Sequence, residues 1–111
     1  MPTVSQVLTP ERSSRIVFPI FTDETPAVLT FGQLITPTWS LTTRSGRIIN
    51  GREDEVLTAL YVILTDDDLV MIDDDPWRVV TFEAFYNSVT YGNLRVNDQY
   101  EFPIAPLTKV S

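Results

Sequence analysis

The chain is predicted to be all-β: a two-sheet sandwich of about seven strands preceded by an extended N-terminal arm. Three observations carry that prediction. Thr, Val and Ile supply 34 of 111 residues, against four Ala and one Lys. Such β-branched side chains lose rotamer freedom in helices and pack well on a pleated surface. Several segments also alternate their side chains with a period of two, and Pro, Gly and Asn/Asp clusters punctuate them. No stretch carries an amphipathic helical stripe.

Residues 1–14 are polar, contain Pro2 and Pro10, and have no sustained period. They read as an arm that gains order only by lying on something else, leaving 15–111 as the sandwich domain. The first strand is expected at Arg15–Thr22, with Ile16, Phe18 and Ile20 on one face and Val17, Pro19 and Phe21 on the other. Pro19 lacks an amide donor, which assigns this strand to a sheet edge. Asp23-Glu24-Thr25-Pro26 forms a turn, and Ala27–Phe31 a short strand ended by Gly32.

After Pro37, Trp39, Leu41 and Thr43 share one face. Gly46 turns the chain into a hairpin whose return strand is Arg47–Asn50, and Asn50-Gly51 is a second turn signal. Glu55–Leu64 is predicted as one long strand. Both of its faces are apolar, so it should be central or covered on two sides. In Thr65–Asp75 the apolar middle is too short for a helix, and a single turn capped by Asp66, Asp67 or Asp68 is expected.

Trp77–Tyr86 has the clearest pattern. Val80, Phe82, Ala84 and Tyr86 are expected to face inward, with Arg78, Thr81 and Glu83 toward solvent. A wide turn over Asn87–Asp98 leads to Gln99–Ala105, where Tyr100, Phe102 and Ile104 share a face. The count and spacing of these strands favour a Greek-key sandwich of immunoglobulin type. Trp39 would then be its buried strand tryptophan and Tyr86 a corner tyrosine.

The charge balance is 15 acidic against 8 basic side chains, a net −7, with neither Cys nor His. Disulfides, thiol nucleophiles, Cys/His zinc sites and imidazole relays are thereby excluded. The acidic surface argues against nucleic-acid and anionic-membrane partners. No span approaches membrane length, and no leader pattern is visible at the N-terminus. The aspartate runs lack the Gly and terminal Glu of a calcium loop, and consecutive aspartates point in different directions, so no metal ligands are assigned. Glu83 and Glu101 are the carboxylates considered for glycoside hydrolysis, but nothing in the sequence sets them across a cleft. Neither catalytic residues nor cofactors are assigned, and the chain is read as a non-enzyme. Candidate partner contacts are Val4, Val7 and Leu8 of the arm and the aromatics Tyr61, Trp77, Phe85 and Tyr91. Trp77 and Tyr91 would alternatively build a sugar platform.

Residues 21–107 resemble the small immunoglobulin-like virion proteins encoded in tailed-phage and prophage structural clusters. The resemblance is carried by Phe21-Thr22-Asp23-Glu24, Pro37-Thr38-Trp39-Ser40-Leu41-Thr42, Ser45-Gly46-Arg47-Ile48-Ile49-Asn50, Leu64 with Asp68-Leu69, Arg78–Ala84 leading to Tyr86, and Tyr100-Glu101-Phe102. The chain departs from that pattern at Thr65-Asp66-Asp67 and at Thr43-Arg44. The resemblance implies a virion component made in the bacterial cytoplasm. It implies first a capsid decoration or cement protein bound to the major capsid protein or other virion proteins, with a homo-oligomer as a further partner option. A tail or baseplate component and a carbohydrate-binding adhesion module are the alternatives. No site residues follow from the resemblance.

Overall fold

The computed structural model describes residues 3–5, 7–72 and 75–106. It is all-β, with eight strands and two 3-10 turns among the described residues. In chain order the strands are β1 (Thr3–Val4), β2 (Thr9–Pro10), β3 (Ser14–Val17), β4 (Leu34–Thr42), β5 (Glu55–Val56), β6 (Val62–Thr65), β7 (Trp77–Ser88) and β8 (Gly92–Ala105). A mixed sheet has the order β1-β8-β7-β4-β5, with β2 also on β8, while β3 and β6 form a separate antiparallel pair. The arm lies on its own chain. Its two short strands run parallel to β8, Thr3 opposite Tyr100 and Thr9 opposite Ile104.

One core joins the two layers. The small sheet and the segments flanking it contribute Val17, Phe21, Leu29, Val62 and Leu64, and the large sheet contributes Trp39, Leu41, Val80, Phe82, Tyr86, Phe102 and Ile104. The expected alternation on β7 is present: Val80, Phe82, Ala84 and Tyr86 are all buried. On β8, Phe102 and Ile104 are buried and Tyr100 packs against the core. Trp39 and Leu41 turn inward from β4, which is antiparallel to β7 with Trp39 opposite Phe82. Between Ile35 and Thr38 the register of that pairing slips. The bulge is built by Thr36 in the left-handed region (φ 45°) ahead of Pro37, which has no amide to offer the ladder.

Several expectations are corrected. Arg78 belongs to the inward row of β7 and is fully buried, because its number shares the parity of Val80 and Phe82. Glu55–Leu64 is not one strand. Glu55–Val56 pairs with β4 and Val62–Thr65 with β3, so the chain leaves one sheet and enters the other in between. The turn in the acidic segment spans Asp66–Leu69, and its N-cap is Thr65 rather than an aspartate. Asp68 closes that turn by accepting the Thr65 amide at 3.1 Å. Asn87–Asp98 is no wide turn: β7 and β8 pair continuously from Trp77↔Pro103 to Ser88↔Gly92. Gly92, at φ 80°, supplies the left-handed residue that closes this hairpin. Ala27–Phe31 reduces to a single bridge between Thr22 and Val28, followed by a 3-10 turn at Phe31–Gln33. Tyr86 is not a local corner. Its hydroxyl meets Glu24, 62 residues upstream, and ties the first layer to the end of β7.

Candidate interaction surface

The most distinctive surface is the outer face of the small sheet. Along β3 and its extension the side chains alternate strictly: Val17, Pro19 and Phe21 are buried, while Ile16, Phe18 and Ile20 point out. Antiparallel pairing sets Ile16 opposite Ile63 and Ser14 opposite Thr65. The rings of Phe18 and Tyr61 meet just beyond the paired residues, with centroids 6.1 Å apart and planes tilted by 53°. Val28, bridged to Thr22, extends the apolar row.

Ile16, Phe18, Ile20, Tyr61 and Ile63 are each between 46% and 65% exposed. Together these residues leave on the order of 600 Å² of surface in water, most of it apolar, in the range of the largest patches a monomer carries. Neither outward row, Ser14-Ile16-Phe18-Ile20 nor Tyr61-Ile63-Thr65, contains a charged side chain. At one end the rows are bordered by Asp98, whose carboxylate accepts the Ile20 amide at 2.8 Å. At the other side Tyr61 and Ile63 form a wall of a depression of about 270 Å³ shared with Val56, Leu57 and Arg52.

The other predicted contacts lie elsewhere and do not converge. Val4, Val7 and Leu8 are exposed along the arm beside β8. Phe85 lies on the outer face of the large sheet, opposite Arg95. Tyr91 is exposed at the tip of the β7–β8 hairpin beside a fully exposed Val89. Trp77 starts β7 at the other end, roughly 35 Å away at ~3.3 Å per strand residue, so Trp77 and Tyr91 cannot share one sugar ring. The Arg44 guanidinium also covers Trp77, 3.4 Å from its ring centroid.

Arg15 anchors the arm. Its Nη1 donates to the Val7 carbonyl (3.2 Å) and Thr9 Oγ1 (2.6 Å). Its Nη2 donates to Ser5 Oγ (3.1 Å) and the Tyr100 hydroxyl (2.9 Å), and the guanidinium lies over the Tyr100 and Phe102 rings. Burial alone would raise the Tyr100 pKa, but the hydrogen bonds with Ser5 and Arg15 and the Arg15 charge outweigh it and hold that pKa below its ordinary value.

The acidic loop is engaged by protein groups. Asp68 is fully buried and accepts Asn50 Nδ2 (2.9 Å) and Arg52 Nε (3.1 Å), while Asp67 pairs with Arg12 at 3.6 Å. Asp73 and Asp74 lie outside the described residues. Among the described residues no cluster of three or more acidic side chains is placed to hold a metal ion. Glu83 pairs with Arg95 at 2.6 Å and Glu101 with Arg44 at 3.3 Å. Glu101 is opposite Val79, four residues along β7 from Glu83. That sets their backbone positions roughly 13 Å apart along the sheet, with each carboxylate held by its own arginine, so the pair does not face across the ~5–9.5 Å that glycoside hydrolysis uses. A shallow open depression of about 370 Å³ on this sheet is lined by Thr81, Glu83, Asn97, Asp98 and Gln99. Several of its polar groups are already engaged: Gln99 donates to Thr81 at 3.1 Å, Asp98 accepts the Ile20 amide, and Glu83 pairs with Arg95.

Of the exposed apolar face, sequence reasoning named only Tyr61 as a contact. The signal for the rest was present, since a strand apolar on both faces needs two covers. No family model, curated protein or solved structure matches the chain.

Proposed function

We propose that this chain is a non-enzymatic structural protein of tailed-phage particles, held on the capsid by protein–protein contacts. The observation that carries the contact reading is the uncharged apolar face of the β3–β6 sheet. A soluble protein that keeps Phe18, Ile20 and Ile63 in water forgoes burial free energy at roughly 25 cal/mol per Å². A partner surface recovers it. The virion setting rests on the motifs from Phe21 to Leu107, and it makes the major capsid protein the first partner to test. Attachment in many copies suits modest individual contacts, because repetition on a lattice multiplies weak affinities. The exposed Val4, Val7 and Leu8 of the arm and Tyr91 at the hairpin tip add contact points on other sides of the molecule.

Within the all-β class, the finer reading is an immunoglobulin-like Greek key. It is supported by the buried Trp39 of β4, packed in the same core as Phe82 and Tyr86 of the neighbouring strand. Mass spectrometry of gradient-purified particles from cells carrying the gene tests the role. Stoichiometric abundance, with chemical cross-links to the major capsid protein, is the expected outcome. Absence from the particles would refute a virion role, and cross-links confined to tail proteins would move it off the capsid.

A further inference from the structure

We infer that the outer face of the β3–β6 sheet is where two copies of this chain meet. The inference rests on reading this face as a protein contact and goes further by naming the occupant, which leaves the exposed arm and hairpin tip to make the contacts with the particle. Charge supplies the first argument. Each copy carries a net −7, so surfaces of two copies repel at most approaches, yet the outward rows of this sheet bear no charge. A two-fold axis through the face sets this apolar patch against the same patch of the other copy and places no like charges from these rows against each other.

Area supplies the second argument. Two faces of on the order of 600 Å² bury roughly 1,200 Å² together, the lower bound for a specific, stable interface. Geometry supplies the third. The Phe18–Tyr61 ring pair lies beside the Ile16–Ile63 pair, and aromatic anchors flanked by aliphatic groups are what interface centres are built from.

Sedimentation equilibrium of the purified full-length chain, across low-micromolar to high-micromolar concentrations, tests this. The expected result is a reversible shift from 12.6 kDa to twice that mass. Dimerisation should strengthen as salt rises, because salt screens the repulsion between acidic copies while the contact has no ion pairs to lose. Phe18→Glu should weaken association at least about tenfold. Phe18 is exposed, so an unchanged circular dichroism spectrum and melting temperature should accompany that loss. A chain that stays monomeric throughout overturns the inference, as does a dimer indifferent to Phe18→Glu. A monomer found bound to purified particles overturns the second copy as occupant while leaving the virion role intact.

Discussion

Arg78 shows how one residue organises a loop. Its guanidinium is fully buried and bonds main-chain carbonyls: Nε to Asp68, Nη1 to Asp75 and Trp77, and Nη2 to Val70. Burial lowers its pKa, and the charges of Asp75 and Glu11 partly restore it. Three carbonyls of the acidic loop and one at the start of β7 thus point at one cation, and the loop folds around it. Arg78→Leu strands those carbonyls in the interior and is expected to cost about 3 kcal/mol or more, read as a lower urea midpoint. Glu24 makes the complementary case at the other end of β7. It accepts the Ser88 and Tyr86 hydroxyls, and those two bonds hold its pKa below the ordinary 4.5. A depressed carboxylate stabilises the fold fully above its unfolded pKa. That contribution disappears as pH falls from about 4.5 through the lower folded value. The difference in urea midpoint between the native chain and Glu24→Gln should therefore be constant near neutrality and shrink toward pH 3. A gap that holds constant through this acid range would contradict the assignment.

At the level of elements, the arm is held by hydrogen bonds far more than by burial. Among its described residues only Thr9 is buried, and its main-chain bonds include those from the Ser5 amide to Glu101 and the Glu11 amide to Ala105, both 2.8 Å. Arg15 joins three positions of the arm to Tyr100. Arg15→Ala should therefore release the arm while the sheets persist. Hydrogen exchange should speed at the Ser5 and Glu11 amides and stay slow at Phe82 and Val80. Equal acceleration everywhere would mean that Arg15 supports the core instead. How much of each element was legible depended on contrast between its faces. β7 has polar residues at Thr81 and Glu83 to mark its outside, so its inner row could be read directly, and only Arg78 was set on the wrong side. In β3 and β6 no polar residue distinguishes outside from inside over Ile16–Phe21 or Tyr61–Leu64. The alternation was visible there, but not which row stays in water. The break after Val56 was hidden because a chain passing between layers keeps its apolar character throughout.

Over the whole molecule, long-range pairing was the part sequence could not supply. The parallel attachment of β1 and β2 to β8 joins residues about a hundred positions apart, and a polar arm has no period to announce its partner. The continuous β7–β8 hairpin was masked by Asn97-Asp98, which resembles a turn but lies inside β8, whereas Gly92-Asn93 does stand at the turn. Its length helps give the molecule extents of 62 × 25 × 23 Å and carries Tyr91 to an end remote from Trp77. The neutral face of the small sheet lies on a layer of its own. Copies joined there would leave the hairpin tip and the arm free for other contacts.

The parallel arm has a consequence for synthesis. Residues 3–10 are made long before the strand they dock against, which is the last of those described. Until Tyr100 to Ala105 emerge, the nascent arm has neither its ladder nor the rings beneath Arg15. At ~5–20 residues per second, that interval lasts on the order of five to twenty seconds. During it, a finished neighbour on the same message offers a completed β8, so the order of translation itself opens a route to exchanged arms.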